Sequence, residues 1–191
     1  PGREPGCRDQ RNKGQLIGSG RGGISRQLDL PNLVHVQLQI SWRNSLNFRA
    51  YFFADEGDND TPENSYELVC NRRFVYLRKR WTTLNNSGSE NIGRPANVPE
   101  LQQNEKVRLD LYMNRESGDF TFFVDGKQSQ VWTDPTPKVG SMGNWFHIMS
   151  EGATMRVSSI KALSWSGDLP NDADKPPTDP PLEEDGQIIH L

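Results

Sequence analysis

One stretch of the sequence combines aromatic, cationic and amide side chains, which are the groups that bind sugars in proteins. Strand-like alternation over residues 73–80 puts two aromatic and two arginine side chains on one face. This face can stack on a sugar ring and hydrogen-bond its hydroxyls, or it can be a solubilising surface without a ligand. The candidate carbohydrate contacts are Tyr76, Arg78, Trp81, Asn85 and Asn86.

A second candidate site lies in the acidic segment 55–64. Its carboxylates alternate around a glycine, and hard cations such as calcium prefer oxygen ligands of this kind. The candidate calcium ligands are Asp55, Asp58 and Asp60. The segment does not follow the EF-hand pattern, because no helical period flanks it and no Glu occupies the twelfth position. A solvated loop and a calcium site therefore both remain open, and calcium is the one candidate cofactor.

The two cysteines, Cys7 and Cys70, can form one disulfide in an oxidising compartment or remain two thiols. Neither cysteine has a zinc-ligand partner at close spacing. The histidines are scattered, and no Ser or Cys lies in a recognisable nucleophile context. The glycines at 18–23 lack the Gly-Lys-Ser/Thr ending of a phosphate loop. We therefore expect no catalytic residues and no enzyme activity.

The elements that would position these residues are strands. Residues 106–132 predict three strands joined by a turn at 114–118 and a tight hairpin at Asp125-Gly126. The apolar face that they share needs a second sheet to cover it. Further strands are predicted at 24–30 (an edge strand), 33–43, 48–54, 66–70, 73–80, 144–150 and 154–165, the last with a bulge near Val157. The segment 18–23 is too rich in glycine for a strand, and 82–105 is predicted to be a long connection with a short helical turn near Pro99.

Length, charge and composition bound the domain organisation. The 191 residues contain 22 Lys and Arg against 25 Asp and Glu, a net charge of −3. A nucleic-acid partner is not expected, since it would need a clustered basic excess, and no apolar run is long enough to span a membrane. We divide the chain into a flexible arm (1–14), a β-sandwich (15–166), a Pro/Asp-rich linker (167–187) and the start of a following strand or module (188–191).

Three segments carry a resemblance to a known family: Leu109 to Tyr112, Gly118 to Gly126 with its Phe-Val-Asp-Gly ending, and the last strand with Trp165. Together with the strand pattern, they resemble the concanavalin A-like lectin/glucanase superfamily, specifically its laminin G-like jelly-roll domains. The resemblance covers roughly residues 22–166. The run from Leu30 to Leu68 also looks like domains embedded in large bacterial envelope proteins. The resemblance implies an all-β, two-sheet antiparallel jelly-roll sandwich with extended tails, in an extracellular, periplasmic or envelope location.

Glycosidases of this superfamily carry Glu-x-Asp-x-x-Glu or Glu-x-Asp-x-Glu on one strand, and this sequence has no such spacing. We therefore expect a non-catalytic module of an exported or cell-envelope protein that binds a glycan or a cell-surface polymer. The alternative is a structural subunit that self-associates or binds protein partners through its tails. A degenerate glycosidase is a minor alternative.

Overall fold

The computed structural model describes residues 16–18, 21–28, 30–43, 45–56, 61–99, 101, 106–140, 142–152, 154–170 and 188–189. Thirteen strands are present in these residues. They are β1 (Leu16–Gly18), β2 (Arg21–Gln27), β3 (Leu33–Arg43), β4 (Asn47–Ala54), β5 (Ser65–Asn71), β6 (Phe74–Thr82), β7 (Ser87–Asn97), β8 (Lys106–Asn114), β9 (Asp119–Val124), β10 (Lys127–Thr133), β11 (Trp145–Glu151), β12 (Thr154–Ser164) and β13 (Ile188–Ile189). No helix in the described part of the chain has the length and hydropathy of a membrane span.

The strands form two antiparallel sheets, which confirms the predicted two-sheet β-sandwich. The larger sheet has the order β1-β12-β3-β8-β9-β10, with β13 also paired to β12. The smaller sheet has six strands in the order β2-β11-β4-β5-β6-β7. Strands distant in sequence are neighbours in both sheets, as in a jelly roll, so the chain crosses between the sheets several times.

The core lies between the two sheets because each strand turns one apolar face inward. In β3, Val34, Val36 and Leu38 are buried, as the alternation predicts. They belong to one continuous apolar cluster that includes Phe48 and Leu68 of the opposite sheet. Burial of each such side chain contributes about 1.5–3 kcal/mol, which fixes the register of each strand and therefore which side chains reach the outer faces.

The three strands predicted at 106–132 are present, since β8, β9 and β10 follow one another as antiparallel neighbours. Asp125 and Gly126 have φ of 49° and 83°, the two positive values that a type I′ hairpin requires. The bulge predicted in β12 is also present, as a register shift between Val157 and Ser159.

The long connection predicted at 82–105 is wrong, because it contains the eleven-residue strand β7. The sequence of β7 shows no strand-like alternation, because Gly93 and Pro95 interrupt it and only Ile92 and Ala96 are buried. As an edge strand, β7 pairs only with β6, so a proline is tolerated where no ladder donor is needed. The helical turn predicted near Pro99 stays a prediction, because residues 100 and 102–103 lie outside the described residues.

The expectation that 18–23 is too glycine-rich for a strand is also wrong, since β2 begins at Arg21 and includes two glycines. A Cβ on Gly23 would lie 2.7 Å from the carbonyl oxygen of Ile148. Glycine therefore permits a close approach of β2 to β11. The predicted edge position of this strand is confirmed.

The tails predicted at the two ends are only partly described. The arm at 1–14 lies outside the described residues, as do 171–187 of the linker. Ile188 and Ile189 pair with Lys161 and Ile160 of β12, whereas the sequence interpretation assigned 188–191 to a following strand or module. The domain division, and assembly through the tails, stay predictions.

The predicted disulfide also depends on the undescribed arm. Cys70 is fully buried in the core and has no disulfide partner among the described residues, and burial raises the pKa of its thiol well above the ordinary value. Cys7 lies outside the described residues, so the pairing of the two cysteines stays a prediction.

Candidate functional site

A row of polar side chains crosses the outer face of the six-stranded sheet. Each strand contributes one residue, and each residue is the cross-strand partner of the next. The row, called the polar row below, consists of Ser25, His147, Tyr51, Glu67, Arg78 and Asn91. Cross-strand partners have Cβ atoms about 4.5–5.5 Å apart, so these side chains are in hydrogen-bonding reach of one another.

Glu67 is the centre of this row and holds three arginines, called the arginine cluster below. The side chain of Glu67 is fully buried, and its Oε1 accepts a hydrogen bond of 2.8 Å from Nη1 of Arg49. Oε2 accepts one of 3.1 Å from Nε of Arg80 and lies 3.7 Å from Nη1 of Arg78. Arg49 also contacts Glu151, with 2.8 Å between Nε and Oε1. Burying an unpaired carboxylate costs free energy, and the arginines offset this cost for Glu67. Glu67 in turn fixes the positions of the three guanidinium groups.

Lys79 anchors the strand that carries two of these arginines. Its side chain points between the sheets and is fully buried, with Nζ 2.8 Å from Oδ2 of Asp134 and donating also to the carbonyl of Thr136. Tyr66 donates to the same Oδ2 at 2.7 Å. Burial alone would raise the pKa of Asp134, but the hydrogen bonds from Lys79, Thr136 and Tyr66 outweigh it and hold this pKa below its usual value. The outward arginines on either side of Lys79 are thereby fixed to the core.

His147 is the second residue of the row, next to Ser25, and its burial favours the neutral imidazole. Its Nε2 lies 2.7 Å from the carbonyl oxygen of Glu56 and must donate to it, so Nδ1 accepts from the hydroxyl of Ser25 at 2.6 Å. Burial lowers the pKa of His147, although the Glu56 carbonyl partly opposes this. The ring of Tyr51 meets His147 edge-on at 6.1 Å, and Trp145 stacks on it at 6.3 Å.

Partly exposed aromatic rings flank the arginine cluster on both sides. Tyr76 lies two residues before Arg78 on the same face of β6, and the guanidinium of Arg78 is 5.4 Å from the centre of its ring. Trp145 is partly exposed on β11. β11 and β6 are three strand spacings of about 4.8 Å apart, and the pairings put Tyr76 at the level of Met149, four residues along the strand direction from Trp145. The two rings are therefore roughly 20 Å apart, on opposite sides of the polar row. The face thus has a buried polar floor and an aromatic rim.

A bulge in β4 shapes this face next to His147. Trp145 pairs with Ala54 and His147 with Tyr51, so β4 has one residue more than β11 over this interval. Phe53 has a positive φ of 53°, which is a genuine outlier for a bulky residue. Its ring contacts the core residue Tyr66 at 6.5 Å, so Phe53 turns inward as Phe52 does.

The structure separates the five predicted carbohydrate contacts. Tyr76 and Arg78 lie together on the face just described. Trp81 does not, because strand alternation turns it to the opposite side of β6, where its ring packs against Gly88. Asn85 and Asn86 lie in the turn between β6 and β7, about 20 Å along the strand from Tyr76. The five residues therefore do not form one contact surface.

The calcium prediction is not tested by the structure. Oδ2 of Asp55 accepts hydrogen bonds from the backbone N–H and the side-chain amide of Asn64, at 3.1 and 2.8 Å, which closes the base of this loop. Asp58 and Asp60 lie outside the described residues. Within the described part of the chain, no three His, Cys, Asp or Glu side chains are grouped to hold a metal ion.

Sequence reasoning missed most of the polar row. Alternation puts Arg49 and Tyr51 on the same face of their strand, but does not indicate that Glu67 lies between them and the arginines of β6. Trp145 and His147 were recognised only as part of a strand. The register between strands distant in sequence brings these residues together, and no local pattern encodes it.

The larger sheet carries a second polar cluster, but this one is closed. Asp110 accepts hydrogen bonds from His35 at 2.9 Å, from Gln37 at 3.0 Å and from Arg108 at 2.8 Å. Burial would raise the pKa of Asp110, yet these partners lower it below the ordinary value. His35 also stacks on Tyr112 at 4.1 Å. Asp110, His35 and Tyr112 are all buried, so little of the cluster is left to contact a ligand.

Comparison with known proteins supports the fold. No protein-family model matches the sequence, and no curated protein matches it significantly. Among solved structures, a legume lectin-like domain from Entamoeba histolytica has a TM-score of 0.58 and 11% identity, covering 83% of this chain and 88% of that one. A tetrameric galectin from the sponge Cinachyrella has a TM-score of 0.53 and 11% identity, covering 75% and 100%. A protein described as a glycosyl hydrolase from Parabacteroides distasonis has a TM-score of 0.54 and 10% identity, covering 82% and 89%. The chain therefore has the concanavalin A-like jelly-roll fold that the sequence resemblance implied.

Proposed function

We propose that this chain is a carbohydrate-binding β-sandwich module of an exported or cell-envelope protein, and that it binds glycans on the outer face of its six-stranded sheet. The observation that carries the proposal is the arginine cluster. Glu67 is buried, whereas the side chains of Arg49, Arg78 and Arg80 are 26%, 25% and 21% exposed. One nitrogen of each guanidinium lies within 3.7 Å of a Glu67 oxygen, and part of each arginine side chain is exposed to solvent.

This arrangement suits a sugar for two physical reasons. A sugar ring has an apolar C–H face that packs on an aromatic ring, and Tyr76 and Trp145 supply partly exposed rings. Sugar hydroxyls need hydrogen-bonding groups that converge on them, and the arginine cluster holds such groups in place before the ligand arrives. Donors fixed in advance lose little conformational entropy on binding, which increases affinity.

We further propose binding without hydrolysis. A glycosidase needs one carboxyl group as a proton donor and a second as base or nucleophile across the scissile bond. Glu67 is buried and engaged by three arginines, and Glu151 contacts one of the same guanidinium groups. The similarity to a glycosyl hydrolase concerns the fold and leaves the chemistry of this face open.

A glycan array with the full chain, in calcium and in a chelator, tests the proposal. We expect binding to a restricted set of glycans, without release of shorter products. Tyr76→Ala and Arg78→Gln should each weaken binding by about 5- to 100-fold, as expected for losing one ring contact or charge-assisted hydrogen bond. Arg156→Gln is the matched control, since Arg156 is an exposed strand arginine of the other sheet.

The array also separates the open alternatives. A blank array in both conditions, or equal binding by all three variants, would remove this face as a glycan site. Binding that disappears in the chelator would support the calcium prediction. Immunodetection of the parent protein only in the cytoplasmic fraction of cells would contradict the proposed location.

A further inference from the structure

The arginine cluster carries more positive than negative charge, although the whole chain has a net charge of −3. Its three guanidinium groups face two carboxylates, Glu67 and Glu151. Two more arginines, Arg72 and Arg73, are exposed in the turn between β5 and β6, close to the end of β6 that carries Tyr76. Positive charge is thus concentrated on one face of an acidic protein, where it attracts anions.

The guanidinium groups also have donors to offer. Arg80 uses Nε for Glu67, and its two terminal nitrogens have no partner among the residues that the structure describes. Arg78 uses Nε for Asn91 at 3.2 Å and Nη1 for Glu67, which leaves Nη2 without a described partner. Two terminal nitrogens of one guanidinium form a planar fork that matches the two oxygens of a carboxylate or sulfate.

The groups next to these arginines indicate that the bound anionic group is a substituent of a sugar. Tyr76 lies against Arg78, so a sugar ring in contact with Tyr76 would place its substituents beside Nη2 of Arg78. The fork of Arg80 lies two residues further along the same face of β6. Asn91 lies at the same level on β7 and offers a side-chain amide for hydroxyls. A lone inorganic anion would use the arginines but not the aromatic ring.

We propose that the ligand of this face is an acidic glycan whose carboxylate or sulfate pairs with Arg78 and Arg80 while its ring packs on Tyr76. This inference rests on the proposed glycan-binding function and adds the charge of the ligand to it. The shared chemistry is an anionic group on a sugar, supplied by a uronic acid or by a sulfate ester.

Matched polymers that differ only in charge provide the test. The full chain is titrated with polygalacturonate and its methyl ester, with dextran sulfate and dextran, and with duplex DNA as a polyanion without pyranose rings. We expect the acidic member of one pair to bind at least about tenfold more tightly at about 50 mM salt, and the advantage to shrink at about 500 mM. The pair that shows the difference identifies carboxylate or sulfate.

Variants assign the effect to this face. Arg80→Gln should weaken binding of the acidic polymer by about 5- to 50-fold and remove most of the difference in affinity between the acidic and the neutral member of the pair. Arg156→Gln should change neither. Should Arg80→Gln fail to fold, Arg78→Gln and the salt dependence of the unaltered chain decide the same question.

Each contrary result has its own meaning. Equal affinity for both members of each pair would overturn the acidic ligand and leave glycan binding in place. DNA that binds as tightly as the acidic glycan would show a general polyanion surface and would also overturn the inference. Failure of every polymer and of the array would remove the proposed function itself.

Discussion

Replacing Glu67 with glutamine tests whether one buried carboxylate holds the candidate site together. The amide keeps one acceptor oxygen but places N–H groups where Oε2 now accepts from Arg80 at 3.1 Å and lies near Arg78. Hydrogen bonds that involve charged groups contribute about 1.5–3 kcal/mol each. Because the arginines are 21–26% exposed, solvent screens part of the loss. We expect Glu67→Gln to lower the free energy of unfolding by about 2–4 kcal/mol.

Urea denaturation measures this change, and Glu151→Gln provides the matched control. Both carboxylates contact Arg49 at 2.8 Å, but Glu151 is 25% exposed whereas Glu67 is fully buried. The control should therefore cost only about 0–1 kcal/mol, with the denaturant slope unchanged in both variants. If the two variants were destabilised equally within about 0.5 kcal/mol, the assignment of Glu67 as the organising group would be refuted.

Three further predictions concern the elements around the site. Lys79→Met should destabilise the protein by about 3–5 kcal/mol in urea denaturation, and adding Asp134→Leu should recover part of the loss, since it removes the stranded carboxylate. The pKa of His147 is lower in the folded protein than the unfolded value of about 6.5, so its contribution to stability is complete above that pH and is lost as the pH falls through the folded pKa. His147→Gln should flatten this loss of stability in a pH series of thermal melts. Gly23→Ala should lower the melting temperature, since its Cβ would lie 2.7 Å from a backbone oxygen; an unchanged value would contradict the close approach of β2 and β11.

The sequence was sufficient for those parts of the fold that follow a local rule. The 107–113 alternation and the Asp125-Gly126 dipeptide predicted β8, β9 and their hairpins, because period and turn chemistry operate within a few residues. β7 and the start of β2 escaped prediction for the opposite reason. β7 buries few side chains, and both segments contain glycine, so their strand structure comes from pairing with a neighbour.

The candidate site was predictable only along single strands. Tyr76 and Arg78 were found because they share a face of β6, and Trp81 was wrongly grouped with them although its odd position places it on the other face. Glu67, Arg49 and the arginines of β6 meet through two separate strand pairings. A sequence read one segment at a time predicts which residues face outward but not which of them become partners across the sheet.

The strain at Phe53 shows how the core and the candidate site are coupled. A bulky residue at positive φ costs about 1–3 kcal/mol, and the bulge exists because burial offsets that cost. Phe52 and Phe53 both turn their rings into the core, and each ring contributes about 1.5–3 kcal/mol there, whereas regular alternation would leave one ring on the outer face. That ring would lie on the same face as Tyr51 and compete for space with the imidazole of His147. The bulge thus keeps a polar surface beside Glu67 clear of a large apolar side chain, at little net cost to stability.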